Sequence, residues 1–420
     1  MGQRKGGSGN TVPFVRMAST FQDLQSQLAT LRRTMAKIDR RYAAPPQPRP
    51  TPAVEMPGAE VATAQGKHWE IEKAYPVHGS METARLTDLP PDLLQAISGG
   101  LIPHAPPDRI AFLDTETTGL AGGSGTVAFV TGVGRITPDG FVVRQFFLRD
   151  FDEEASALTA LGEHLEAFDV LVTYNGKSFD QPLLETRYRM TRQRPPFARL
   201  VHLDLLYGAR RLWKLRFESC RLVHLESEVL GVERLGDVPG ALIPALYFDY
   251  VRTKRPTPLE PVFEHNRLDI VSLACLTAIV PRAFHSPHDV DLAGTEMIGL
   301  GRWLLAAERF DDGLVLLRRA VARHIPDELL FRALWDIAAT EKKLERGVAA
   351  FHELTASPNP YRVMALEELA KHHEHVARDF PAALEFTLAA LTHAESADLR
   401  KREERLRRKA SRPRTARMGA

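Results

Sequence analysis

The chain of 420 residues contains only two cysteines, Cys220 and Cys275. Neither has a partner at metal-ligand spacing, which speaks against a disulfide framework or a thiolate metal site, so both read as small core residues. No apolar run approaches the roughly 18 residues of a membrane-spanning helix. The opening Met-Gly-Gln-Arg-Lys-Gly-Gly lacks an apolar signal core, so a cytoplasmic protein is the expectation. A large net charge is missing too, at +2, but its distribution is uneven. Residues 1–52 hold nine Lys/Arg against two acids and residues 400–420 hold ten against two, which leaves −13 between two basic ends. Such ends suit nucleic acid, and solvated tails without a partner fit them equally well. With 44% hydrophobic and 26% charged residues, the composition is that of a soluble chain with room for two or three domains.

Residues 1–17 are glycine-rich and polar and read as disordered. From Ser19 to Tyr42, Phe21, Leu24, Leu28, Leu31, Met35 and Ile38 recur at the spacing of an amphipathic helix. Six prolines in 45–58 make a stiff linker, so 1–59 is assigned to linker with one helix. Trp69, Ile71 and Tyr75 suggest a short strand or loop leading into the next domain. Runs at 109–116, 126–134 and 141–149, separated by glycine-rich or Pro-Asp-Gly turns, predict an antiparallel meander. The loop Gly122-Gly123-Ser124-Gly125 precedes a strand and lacks the Gly-Lys-Ser/Thr ending of a phosphate cradle, so it reads as a flexible turn. A helix at 153–168, a strand at 169–174, a helix at 182–193, a strand near 200–204 and helical patterns over 205–282 complete an α/β domain with a mixed sheet.

The last third changes character. Arg309-Phe310-Asp311-Asp312-Gly313-Leu314, Lys343-Leu344-Glu345-Arg346-Gly347-Val348 and Asp379-Phe380-Pro381-Ala382-Ala383-Leu384 stand 34 and then 36 residues apart, each at the turn of a helix pair. That period is the mark of tetratricopeptide-type repeats, expected over 290–395 and followed by a basic tail at 396–420. An irregular helical bundle is the alternative. Repeats of this type present a concave surface to a protein partner.

Chemistry concentrates in three segments. In Ile110-Ala111-Phe112-Leu113-Asp114-Thr115-Glu116-Thr117-Thr118-Gly119, Asp114 and Glu116 share one face of a strand. Two adjacent acids at a buried strand end repel each other and lose hydration, unless a cation lies between them. Val170-Leu171-Val172-Thr173-Tyr174-Asn175-Gly176-Lys177-Ser178-Phe179-Asp180 is a strand, a turn and an acid at a helix start, where Asp180 also fits a capping role. Glu264-His265-Asn266-Arg267-Leu268-Asp269 sets His265 and Asp269 on one helical face.

Together these segments resemble the three motifs of the DEDD exonucleases of the ribonuclease H-like superfamily, with Asp114, Glu116, Asp180 and Asp269 as the four acids. Asp-Thr-Glu-Thr-Thr-Gly-Leu, the Gly-Gly-x-Gly loop and His-Asn-x-x-Asp-Ile-Val-Ser-Leu are similar to the YprB-type group, over residues 60–285. The resemblance implies a ribonuclease H-like fold with a mixed sheet and helices. It also implies nuclease activity with two Mg²⁺ or Mn²⁺ ions, Asp114 bridging them and the other three acids completing the ligands. The implied reaction is 3′→5′ hydrolysis at single-stranded DNA or RNA ends. An endonuclease on hybrids or junctions and a non-cleaving nucleic-acid adaptor are the alternatives. One departure concerns His265, which stands four residues before the last acid, where one subclass carries tyrosine and the other places its histidine a residue earlier. A histidine there remains a candidate to orient or deprotonate water.

Weaker candidates surround these motifs. Thr117, Tyr174, Asn175, Lys177 and Phe179 are possible substrate contacts, through sugar, base or phosphate. Core packing is the favoured alternative for Phe179. His202 and Asp204 read as structural, and Lys214, Arg216 and Arg221 as a solvated face.

Overall fold

Strand β3 (Ile110–Thr117) lies inside a mixed seven-stranded sheet of order β1-β2-β5-β4-β3-β6-β7. The other strands are β1 (Ala59–Thr63), β2 (Gly66–Pro76), β4 (Ala128–Thr137), β5 (Gly140–Phe147), β6 (Val170–Thr173) and β7 (Val201–Asp204). This computed structural model describes residues 56–76, 93–98, 102, 104–119, 125–234 and 236–411. The helix expected at 19–42, the linker up to residue 55, residues 120–124 of the glycine loop, the N-terminal basic stretch and residues 412–420 lie outside the described residues.

Strands β3, β4 and β5 form the expected antiparallel meander, and β6 and β7 run parallel to β3. Trp69, Ile71 and Tyr75 fall on β2, which pairs with β5 along its length and with β1 in a hairpin. That hairpin widens the sheet beyond the sequence reading. Alternate residues of β3 feed two cores. Ala111 and Leu113 pack with Leu158, Leu161, Leu183 and Leu184 of helices α2 (Glu154–Leu165) and α3 (Asp180–Met190). Ile110 and Phe112 pack on the opposite face with Ala209 and Leu212 of α4 (Leu205–Trp213) and Ile270 and Leu273 of α7 (Glu260–His285). Short helices α1 (Leu93–Ile97) and α5 (Leu222–Leu225) and the longer α6 (Ile243–Thr253) complete this region.

Among the described residues, Thr257–His285 is the one helical span long and apolar enough to cross a membrane, and 67% of its most apolar window is buried within the protein. It is a core helix, and its apolarity reflects contact with the sheet.

Seven further helices follow: α8 (Gly294–Ala306), α9 (Phe310–Val321), α10 (Asp327–Lys343), α11 (Ala349–Thr355), α12 (Arg362–His375), α13 (Phe380–Leu391) and α14 (Ala397–Ala410). Glu308, Glu345 and Arg378 adopt left-handed φ of 61°, 57° and 55° in the turns between α8 and α9, α10 and α11, and α12 and α13. The left-handed conformation stops the first helix of each pair so the second can fold back. Leu300, Leu317, Ile337, Phe351 and Leu369 belong to the same apolar cluster as Phe112 and Val172, so the helical region continues the core of the sheet. The basic stretch after residue 396 is a helix as far as Ala410, because Arg402, Arg405 and Lys409 converge on the fully buried Glu374 of α12.

Close approach of α7 to the sheet requires two glycines on β4. A Cβ on Gly132 would stand 2.2 Å from Asn266 Oδ1 and 2.4 Å from Ile270 Cδ1, and one on Gly134 would meet Ile270 and Phe141. Gly132 pairs with Asp114 on one side and with Gln145 on the other, so it clears the path along which α7 crosses the sheet. Gly132→Ala is expected to displace α7 and destabilise the fold by about 1–3 kcal/mol, as overpacking does. An unchanged urea midpoint would show that the glycine is not needed for this approach.

Candidate active site

Asp114 and Glu116 continue the face of β3 that carries Ile110 and Phe112, so both project under α7 at the carboxyl end of the strand. The register slips between Glu116 and Thr117, and a bulge of this kind re-aims side chains at a strand end. Glu116 is buried and Asp114 half-buried. Asn266 donates from Nδ2 to Asp114 Oδ2 at 2.8 Å and to the Asp114 carbonyl at 3.2 Å. Its own Oδ1 accepts from Gln145 Nε2 at 2.8 Å, and Gln145 Oε1 accepts from Arg267 at 3.2 Å. Asn266 and Gln145 have no exposed surface. The Arg267 guanidinium can only donate, so it fixes the orientation of both amides, and the last donor in the row points at Asp114.

Asp180 arrives from the other face. The chain leaves β6 through Asn175, in left-handed conformation with φ of 68°, and α3 begins at Asp180 itself. Asp204 fastens this turn by accepting from the backbone N–H groups of Asn175 at 2.8 Å and Lys177 at 3.2 Å, and it also caps α4 through Leu206 N–H. Asp180 lies one residue inside the helix rather than at its cap, and its Oδ1 accepts from Thr115 Oγ1 at 2.5 Å. His202 joins Thr173 at 2.8 Å and Gln181 at 2.5 Å, and burial lowers its pKa to about 4, so it is a neutral structural side chain. His202 and Asp204 thus have the structural roles expected of them.

Asp269 and His265 come from α7, and here a loop that sequence reading missed becomes important. Arg234, 5% exposed, forms a two-pronged ion pair with the buried Glu226, reaches Asp237 at 3.2 Å and also donates to Asp269 Oδ1. Asp237 lies 2.8 Å from His265 Nδ1, while His265 Nε2 is 3.9 Å from Asp269 Oδ2. A carboxylate on Nδ1 selects the tautomer that leaves Nε2 as an acceptor facing the acids. Nothing local marks Arg234 or Asp237 as part of the site, since the residues that tie them to it, Asp269 and His265, lie about thirty residues away on α7. Asn266 lies inside the third motif, but its link to Asp114 depends on Gln145 across the sheet.

The electrostatics follow from this crowding. Burial, then the charges of Asp269, Glu116 and Asp180, hold the Asp114 carboxyl well above its ordinary pKa. Burial followed by Asp269 and Asp180 does the same to Glu116. Burial raises Asp180 to about 6 against the hydrogen bond from Thr115. Asp269 is raised by burial, and Arg234 and His265 oppose the rise. The four acids therefore interact strongly, and one guanidinium provides nearly all the local positive charge.

Among the described residues, no three acids or histidines stand close enough together to enclose a metal ion as the side chains are arranged. Asp180 is turned to Thr115, Asp114 to Asn266 and Asp269 to Arg234. The donor set itself fits a hard divalent cation, being carboxylate oxygens that burial first, and neighbouring acids second, hold above their ordinary pKa.

The other expected contacts have separate fates. Thr117 Oγ1 donates to the Gly119 carbonyl at 2.8 Å. Tyr174 donates to the Cys220 carbonyl at 2.5 Å and lines a cleft with Asn175. Lys177 is exposed. Phe179, expected to pack in the core, is 40% exposed, because the turn before α3 aims it outward. Cys275 is buried as expected, whereas Cys220 is only half-buried at the cleft wall.

A family profile described as RNase_H superfamily matches residues 111–280. The uncharacterized protein YprB of Bacillus subtilis (strain 168) is 34% identical over 315 residues, covering 72% of this chain and 76% of that protein. Among solved structures, the family B DNA polymerase from the hyperthermophilic archaeon Pyrobaculum calidifontis is 15% identical at a TM-score of 0.35. That match covers 55% of this chain and 30% of the polymerase chain. The chain belongs to the YprB family, and residues 111–280 are a ribonuclease H-like domain of the RNase_H superfamily.

Proposed function

We propose that the protein is a divalent-metal-dependent nuclease that hydrolyses phosphodiester bonds, acting 3′→5′ on single-stranded ends. The observation that carries this reading is the convergence of Asp114, Glu116, Asp180 and Asp269, from three distant segments, at the carboxyl end of β3 beside an acceptor-oriented imidazole. The four acids would hold Mg²⁺ or Mn²⁺. When bound, such ions neutralise phosphate charge and acidify a water molecule.

The chain's own residues provide the rest. Asn266 keeps one oxygen of Asp114 engaged and so limits its rotation. Arg234, anchored on Glu226, holds Oδ1 of Asp269 and leaves Oδ2 turned toward His265. His265 accepts the proton of the attacking water at Nε2, and Asp237 stabilises the imidazolium that results. Thr115 holds Asp180 at the opposite wall.

The helical region is read as tetratricopeptide-type repeats that retain a protein, on the three helix pairs with equivalent left-handed turns. A partner that still binds after Met364 and Val376, exposed on this region, are both changed to Glu would count against that use of the surface.

The test of the activity uses 5′-labelled single-stranded DNA and RNA with Mn²⁺, Mg²⁺ or chelator. A metal-dependent ladder shortening from the 3′ end is expected, absent in Asp114→Ala. His265→Ala should lower kcat by roughly 10²–10⁴-fold with KM little changed. If a circular strand is cut as fast as a linear one, the enzyme is an endonuclease and the end-directed reading is wrong.

A further inference from the structure

Helix α4 separates two open clefts. The larger, about 760 Å³, is lined by Tyr174, Arg210, Lys214, Phe217 and Arg221, with Glu218 as its one acid among the described residues. The smaller, about 360 Å³, includes Lys177, Tyr207, Arg211 and Trp303, with Asp204 in its wall. Asp204 is committed to the backbone of residues 175–177 and to the start of α4. The larger cleft opens at the carboxyl end of β6, where Tyr174 and Asn175 line it, and the smaller runs along β7 from Val201 to Asp204. Strand β6 is the direct neighbour of β3, the strand that carries Asp114 and Glu116.

The cations here are not neutralised as many others are. Arg216, close in sequence, is paired with Glu296 at 2.8 Å, Arg109 with Asp169 at 2.7 Å and Arg187 with Glu154 at 2.6 Å. Lys177, Arg210, Arg211, Lys214 and Arg221 have no carboxylate within 4.0 Å among the described residues, and all five are exposed. Arg211 lies over the Trp303 ring at 5.3 Å, which extends its guanidinium along the wall. Unpaired like charges repel across a single helix turn, and a polyanion relieves that repulsion. Aromatic surface is interleaved with the charge: Tyr207, 51% exposed, lines the smaller cleft, and Tyr174 and Phe217 line the larger. Basic groups that follow a backbone, alternating with rings on which bases stack, are the chemistry of single-strand binding rather than of a free phosphate or an acidic peptide.

We propose that α4 and the segment from Lys214 to Arg221 form a binding track for single-stranded nucleic acid, which leads the strand along the carboxyl edge of the sheet to the carboxylates. Lys214 and Arg221, read from sequence as a solvated face, belong to the track, and Arg216 does not. This proposal rests on the hydrolytic reading for its direction but not for its chemistry of binding.

The test is fluorescence anisotropy of the full chain with labelled dT20 and rU20 in chelator, where no cleavage intervenes, as a function of salt. Replacing Arg210, Lys214 and Arg221 together with Ala is expected to weaken binding roughly a hundredfold at 0.1 M salt and to reduce the salt slope by about 2. The same variant should hydrolyse thymidine 5′-p-nitrophenyl phosphate in Mn²⁺ at the wild-type rate, which shows an intact fold and intact chemistry. Wild-type affinity and slope in the triple variant would overturn the track. Loss of the small-ester activity along with binding would also overturn it, since these side chains would then be structural. Track-dependent binding by a wild-type protein that never hydrolyses the ester would support the track and refute the nuclease.

Discussion

The burial of Asp114, Glu116, Asp180 and Asp269 beside one another is the constraint on which the rest of this architecture depends. Burial raises the pKa of all four carboxyl groups, the charges of the other acids add to the rise at Asp114 and Glu116, and folding must overcome that cost through surrounding contacts. The surroundings are built accordingly. Asn266, Gln145 and Arg267 form a row of donors that ends on Asp114, Thr115 donates to Asp180, and Arg234 places a buried positive charge on Asp269. Asp114, Asp180 and Asp269 each have an assigned donor, yet the sum remains short of positive charge, which is the condition expected of a site that takes up cations.

That arrangement explains features far from the chemistry. Gly132 has to lack a side chain so that α7 can bring Asn266 and Asp269 down onto β3 and β4. Helix α7 in turn is long because its first half serves the acids and its second half, from Leu273 to Phe284, joins the core that continues into the C-terminal helices. The helical region is therefore a structural extension of the ribonuclease H-like domain. Asp204 plays a comparable part on the other side, since its carboxylate both starts α4 and holds the turn that delivers Asp180.

Much of this was legible in the sequence, for identifiable reasons. The strand carrying Asp114 and Glu116, the strand-turn-helix ending at Asp180 and the His265–Asp269 face of α7 are local patterns, in which periodicity fixes the direction of a side chain. The meander and the mixed sheet follow from alternation and turns. What escaped was non-local. Arg234 and Asp237 sit in an irregular loop whose importance comes only from contact with α7, and Gln145 looks like an ordinary strand residue until Asn266 meets it. The unpaired character of Lys214 and Arg221, against the paired Arg216, likewise depends on which acids the fold brings near. Phe179 was misjudged because an aromatic after a buried strand is usually core, whereas the left-handed turn at Asn175 aims it outward.

The most direct test of this account is thermal stability from pH 4 to pH 8, in chelator and in Mn²⁺, for the wild type and Asp114→Asn. Acids whose folded pKa is raised favour the native state while protonated. Stability in chelator should therefore fall as pH rises from the ordinary carboxylate range through about 6, where Asp180 titrates, and the raised Asp114 and Glu116 should add to the fall as they ionise. Mn²⁺ should restore the wild type at pH 8, and Asp114→Asn should show a shallower fall and little response to the ion. A wild type that is flat with pH in chelator and indifferent to Mn²⁺ would contradict the claim that these carboxylates are a cation site.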